Sequence, residues 1–201
     1  KEIEYAITKN ILLINTESKS EILEIEKIAK KKRKIINIGI RLNPNTDAKT
    51  LSQISTGKKE NKFGVNQKIF LQLVSYLKDS KYLNLKCLSV HIGSQILDHK
   101  PYERMIRVLN KIISKSNYHF DYIDLGGGMG IDYENTNKNL NLKKYALNIQ
   151  KFLKRKNSKI ILEPGRFIVG NSGFLITQVI YIKEGHRKNF VILDAAMNDL
   201  I

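Results

Sequence analysis

Lys159-Ile160-Ile161-Leu162-Glu163-Pro164-Gly165-Arg166 is an apolar run that ends abruptly in a carboxylate, a rigid turn and a guanidinium. Two earlier segments have the same design. Ser89-Val90-His91-Ile92-Gly93-Ser94-Gln95 leads from apolar residues to an imidazole and a hydroxyl, and Tyr122-Ile123-Asp124-Leu125-Gly126-Gly127-Gly128 leads to three glycines. In a parallel α/β protein the carboxyl ends of the strands converge on one face, where the active site is built. Three such exits therefore read as parts of one pocket.

Outward from these segments, strands and helices alternate. Residues 10–14, 35–42, 85–92, 122–125 and 159–162 read as strands. Residues 20–34 carry Ile22, Ile25, Ile28 and Ala29 at helical spacing, with Ser18 or Ser20 as the cap and acidic residues in the first half. Residues 66–80 form a second helix with Ile69, Leu73, Val74 and Leu77 inward. Residues 102–116 form a third, on Met105, Ile106, Leu109, Ile112 and Ile113, and residues 142–155 a fourth. Strands separated by helices argue for parallel βαβ units. On this pattern a barrel and an open doubly wound sheet both stay open. After Arg166 the character changes: residues 174–183 and 189–193 are β-rich runs with no helix between them, and the turn-like Gly170-Asn171-Ser172-Gly173 marks a boundary. The expected division is 1–170 and 171–201, the second part opening an all-β domain. The polar stretch 43–64 is long enough to be a functional loop.

The chain has 201 residues, 42% of them hydrophobic, and a formal charge of +16. The lysines are dispersed, and the one dense cluster, residues 30–34, closes a predicted helix where cations suit the dipole. Aromatic residues do not interleave with the basic ones, so no nucleic-acid platform is expected. No apolar run approaches the length of a membrane span, and no membrane partner is expected. Cys87 is the single cysteine, which leaves no disulfide or thiolate cluster within the chain and fits a cytoplasmic setting. It reads as a small core residue, and no metal site is expected.

Residues 126–128 expose backbone N–H groups without side chains, which suits a phosphate, or else they form a plain turn. The dinucleotide pattern fails because Ile131 stands where its last glycine belongs. His91 is placed to stack on a planar cofactor or to serve as a structural residue, and Ser94 to reach a phosphate. Glu163, held extended by Pro164, is placed to meet a protonated pyridine nitrogen. Arg166 suits a phosphate or a substrate carboxylate, or pairs with Glu163. Arg41 is a weaker pocket candidate, and Asp47, Lys58, Lys59 and Glu60 read as loop charges.

Taken together, Arg41-Leu42-Asn43-Pro44, residues 54–64 (Ile-Ser-Thr-Gly-Lys-Lys-Glu-Asn-Lys-Phe-Gly), His91-Ile92-Gly93-Ser94-Gln95, Asp124-Leu125-Gly126-Gly127-Gly128, Glu163-Pro164-Gly165-Arg166 and residues 194–201 resemble the fold-type III pyridoxal-phosphate decarboxylases. The 54–64 loop and the Met197-Asn198-Asp199-Leu200 tail resemble the diaminopimelate decarboxylase branch, across nearly the whole chain. The resemblance implies part of an alanine-racemase-type (β/α)₈ barrel followed by the start of a β domain. It implies pyridoxal 5'-phosphate as cofactor, an amino-acid substrate and a homodimer with shared sites. By likeness, His91 stacks on the ring. Ser94, Gly126, Gly127, Gly128, Gly165 and Arg166 hold the phosphate, Glu163 meets the ring nitrogen, Arg166 also faces substrate, and Lys62 lies near the subunit interface. The family's Schiff-base lysine motif is absent, Lys9 having the wrong spacing, as is the Cys-Glu-Ser-Gly-like motif of the β domain. The chain thus reads as a fragment, inactive alone and poorly stable with its sheet edges unpaired. Meso-2,6-diaminopimelate is the expected substrate of the parent. Ornithine, arginine or carboxynorspermidine are the alternatives, beside a non-catalytic remnant.

Overall fold

The computed structural model describes residues 1–46, 62–154 and 156–199. The central part of the polar loop, with Asp47, Lys58, Lys59 and Glu60 and most of the 54–64 motif, lies outside the described residues, as do Leu200 and Ile201. The chain divides into two compact units, Lys1–Phe167 and Ile168–Ile201.

In the first unit the order is α1 (Glu2–Thr8), β1 (Ile14–Thr16), α2 (Lys19–Lys32), β2 (Ile36–Arg41), α3 (Gln67–Lys78), β3 (Leu83–Ser89), α4 (Lys100–Ser116), β4 (Tyr122–Asp124), α5 (Leu142–Leu153), β5 (Lys159–Ile161) and α6 (Arg166–Val169), the last reaching past the division. Three of these helices start where the sequence supplies side-chain caps. The side chains of Ser18, Asn66 and Asn141 accept from Glu21, Ile69 and Lys144 N–H groups, satisfying donors that a helix start leaves unpaired. α2 stops at Arg33 in the left-handed region, with Lys30, Lys31 and Lys32 on its last turn, so the basic cluster does sit at a helix end.

All five strands are parallel, in the order β1-β2-β3-β4-β5. A doubly wound sheet reverses its strand order at a switch point; here each strand adds to the same side. Curvature decides the rest. Asn15 on β1 donates through Nδ2 to Asp124 Oδ2 on β4 at 3.0 Å. Across a flat sheet those strands would stand about 14 Å apart, three spacings of about 4.8 Å, beyond the reach of two short side chains. The sheet is therefore an arc, and the contact is a chord across its concave side. The fold is a partial (β/α)₈ barrel of alanine-racemase type. Helix faces fill the outside of the arc: Ile22, Ile25, Phe70, Leu73, Met105, Leu109 and Phe152 pack on Ile38, Ile40, Leu85, Leu88 and Ile123 in one core.

Several boundaries differ from the sequence reading. The first strand is Ile14–Thr16, not 10–14: Asn10 takes φ 52°, Ile11 and Leu12 are exposed, and pairing with Ile38, Gly39 and Ile40 begins only at Ile14. The third strand ends at Ser89 rather than 92, because the chain then leaves the regular ladder toward the site. On α3 the inward residue is Phe70, while Ile69 is 39% exposed; a shift of one position turns a side chain by about 100°.

The second unit contains β6 (Val179–Lys183) paired antiparallel with β7 (Phe190–Leu193). Residues 174–178, read as part of that strand, lie outside it; Gln178 N–H is instead bonded to the Asp194 carboxylate at 2.8 Å.

Candidate active site at the strand exits

The carboxyl ends of β2 to β5 deliver Arg41, His91, the 126–128 loop and Glu163 to the same end of the arc. The loop after β4 links its neighbours. The Gly127 N–H donates to His91 Nδ1 at 3.2 Å, and the Glu163 N–H donates to the Gly126 carbonyl at 2.9 Å. His91, residues 126–128 and Glu163 thus form one hydrogen-bonded row.

The glycines are dictated by close approach. A Cβ at Gly127 would stand 2.0 Å from the Glu163 carbonyl oxygen, and one at Gly128 (φ +87°) 2.0 Å from that of Gly93. Ser94, half-buried, follows Gly93, whose carbonyl faces Gly128. Gln95 clamps the far side of the loop, donating through Nε2 to the Ile131 carbonyl at 2.6 Å and accepting the Ile131 N–H at 3.1 Å. Below, the buried Tyr102 hydroxyl donates to the Gly127 carbonyl at 3.1 Å.

Gly165 and Arg166 are placed differently. A Cβ at Gly165 meets no atom within 4 Å, and Arg166 is exposed with its guanidinium 5.8 Å from the centre of the Tyr133 ring. Arg41 turns to Glu17, with Nη1 2.6 Å from Oε1, and lies 5.0 Å from the Phe63 ring centre. The other Glu17 oxygen accepts the Gly64 N–H at 3.2 Å. Since Leu42 pairs with Val65, Arg41 and Glu17 brace the two feet of the polar loop. Lys62 lies 5.1 Å from the Phe63 ring.

Burial, and then the Arg41 charge, lower the His91 pKa, with Asp124 opposing. Its Nδ1 accepts from Gly127, so the ring is neutral and carries its proton on Nε2. Partial desolvation pushes the pKa of the surface-exposed Glu163 carboxyl up, and the Asp124 carboxyl beside it pushes the same way against Arg41. Burial first, and Asp124 second, push the Cys87 thiol up to about 12; it is an inert core group.

Sequence reasoning passed over Asp124, Asn15, Ser89 and Tyr102. Asp124 had a visible signal, a carboxylate directly before a glycine-rich turn. Asn15 had none, because its role depends on curvature across three strands. Among the described residues no group of acidic, histidine and cysteine side chains is arranged to hold a metal ion, and no helix is long and apolar enough to cross a membrane.

The arrangement fits a pyridoxal group. It offers a carboxylate disposed to keep a proton, a neutral imidazole, and a glycine loop that holds these two strand exits in direct backbone contact. The amides of Gly126 and Gly127 already serve Asp124 and His91, so a phosphate would rely on Gly128, Ser94, Gly165 and Arg166.

Comparison with known proteins agrees. Diaminopimelate decarboxylases from Helicobacter pylori, Neisseria meningitidis serogroup B and Aquifex aeolicus are 44%, 41% and 39% identical over the whole chain. The chain spans about half the length of these curated relatives. The crystal structure of the H. pylori enzyme complexed with L-lysine superimposes with a TM-score of 0.90 at 45% identity, over 98% of this chain and 50% of that one. The M. jannaschii enzyme in co-complex with L-lysine gives 0.84 at 32%, over 98% and 48%. The family described as pyridoxal-dependent decarboxylase, pyridoxal binding domain, matches residues 1–170, and this chain belongs to that family.

Proposed function

We propose that the parent protein is a pyridoxal 5'-phosphate-dependent decarboxylase. It removes the carboxylate from the D-centre of meso-2,6-diaminopimelate, giving L-lysine and carbon dioxide in the last step of lysine biosynthesis. The observation that carries this reading is the hydrogen-bonded row His91, Gly127, Gly126, Glu163, in a chain 44% identical throughout to a diaminopimelate decarboxylase. Residues 1–170 form the carboxyl-terminal part of the barrel and residues 171–201 the start of a β domain. Two such subunits share their sites in a cytoplasmic homodimer, with no role for nucleic acid or membrane.

The cofactor's ring, when bound, supplies the sink for the electron pair left as carbon dioxide departs. Glu163 holds a proton at the ring nitrogen. His91 presents a neutral imidazole face, fixed by the Gly127 amide. Ser94, Gly128, Gly165 and Arg166 bind the phosphate, with the Gly126 and Gly127 backbone shaping its cradle, and Arg166 also orients a substrate carboxylate. No residue of this chain is assigned as the Schiff-base lysine or as the group that reprotonates the product carbon.

The test is release of labelled carbon dioxide by the full-length parent from carboxyl-labelled meso-2,6-diaminopimelate, ornithine, arginine and carboxynorspermidine, with cofactor added. Turnover confined to the first is expected. Preference for another substrate overturns the substrate assignment, and turnover of none overturns the enzyme assignment. The 201-residue chain alone is expected to be inactive in the same assay.

A further inference from the structure

Asp124 is 1% exposed, yet three donors converge on its carboxylate. Asn15 Nδ2 and Ser89 Oγ each donate to Oδ2 at 3.0 Å, and the Gly126 N–H donates to Oδ1 at 2.9 Å. They come from β1, from β3 and from the loop after β4. The same loop carries the constraint onward, because the Gly126 carbonyl accepts the Glu163 N–H.

Asn15 pays for this arrangement. Its Oδ1 is buried with no hydrogen-bond partner, and that oxygen lies where a Cβ on Gly39 would be, at 2.0 Å. An orphaned buried acceptor is destabilising. Turning the amide over would set its oxygen against the Asp124 Oδ2, acceptor against acceptor.

We propose that Asp124 is the positioning residue for the cofactor carboxylate: from the end of β4 it fixes the glycine loop and, through the Gly126 carbonyl that accepts the Glu163 N–H, the Glu163 exit. Two neighbouring carboxyls do not both ionise freely. Desolvation raises the Glu163 pKa, and the Asp124 carboxyl beside it raises it further. The other groups facing Glu163 do not change this. Arg41, on β2, opposes the effect but is engaged with Glu17. His91, at the exit of β3, is neutral, and Cys87, on β3, stays a thiol. A proton held at Glu163 is what a pyridine nitrogen facing it requires. The inference rests on the cofactor reading above.

The experiment is a titration of the full-length parent with pyridoxal 5'-phosphate, followed by fluorescence between about pH 5 and about pH 9, for the unaltered protein and Asp124→Asn. Affinity is expected to fall as rising pH removes the Glu163 proton, and Asp124→Asn moves the midpoint of that fall downward by about one unit. A uniform weakening with an unmoved midpoint, or no change, overturns the inference and leaves the cofactor reading intact. Absence of binding by the unaltered protein overturns both. If Asp124→Asn does not fold, ¹³C-carboxyl NMR of the unaltered protein decides. A glutamate signal titrating above the ordinary range and removed by Glu163→Gln supports the inference; Glu163 titrating within or below that range overturns it.

Discussion

The exits of β4 and β5 are both rich in glycine, and the structure treats them in opposite ways. At residues 126–128 each glycine is pressed against backbone from a neighbouring strand exit, and the loop is tied to Asp124, His91, Tyr102 and Glu163. At Gly165 there is open space, and Arg166 beside it is exposed. Packing explains the first set completely and the second not at all. A glycine that packing does not require is a candidate for close approach by something else, and a phosphate is the proposed visitor. On the proposed function, the tightly packed loop is the wall of the site and the open exit its mouth.

The largest test of this contrast is Gly127→Ala. With the Glu163 carbonyl 2.0 Å from the new methyl, overpacking is expected to cost about 1–3 kcal/mol, read by urea denaturation. Gly165→Ala should leave stability within about 0.5 kcal/mol of the original while weakening cofactor binding. Equal destabilisation by the two changes would erase the contrast.

Ser89→Ala probes the footing of the loop. It removes one of three donors to a buried carboxylate, and a hydrogen bond to a charged group contributes about 1.5–3 kcal/mol. The same denaturation measurement checks it.

Two pH effects sharpen the comparison further. The folded-state pKa of His91 is lowered, so the native state binds fewer protons there than the unfolded chain. Its contribution to stability is lost as pH falls through the ordinary histidine value of 6.5 and below. His91→Gln should flatten that part of the stability profile. Glu163 has the opposite sign to the usual acid. Its raised value means the native state holds the proton longer, so stability declines as pH rises from the ordinary glutamate value of 4.5 toward the raised one. Glu163→Gln should remove that decline and make no difference at more acidic pH. Being exposed, Glu163 gives the smallest effect of the set.

Much of this was legible in advance. Apolar periodicity located four of the five parallel strands and four of the helices, and turn chemistry marked the exits that carry His91, Gly126 to Gly128 and Glu163. The errors were local. Residues 11–13 have strand composition but form a connection, because the pairing partner on β2 begins opposite Ile14. Ile69 and Phe70 satisfy a helical stripe about equally well on paper, and contact with Phe120, whose ring centre lies 6.1 Å from that of Phe70, accompanies the inward choice.

The amino-acid sequence by itself determined the alternation of strand and helix, the chemistry at each strand end and the family, because these depend on side-chain type and spacing along the chain. Only the tertiary structure decided that the sheet is an arc, that Asn15 and Ser89 meet Asp124, and that one glycine cluster is enclosed while Gly165 is open. Those facts depend on distances between strands far apart in the chain, which curvature sets and linear spacing does not encode.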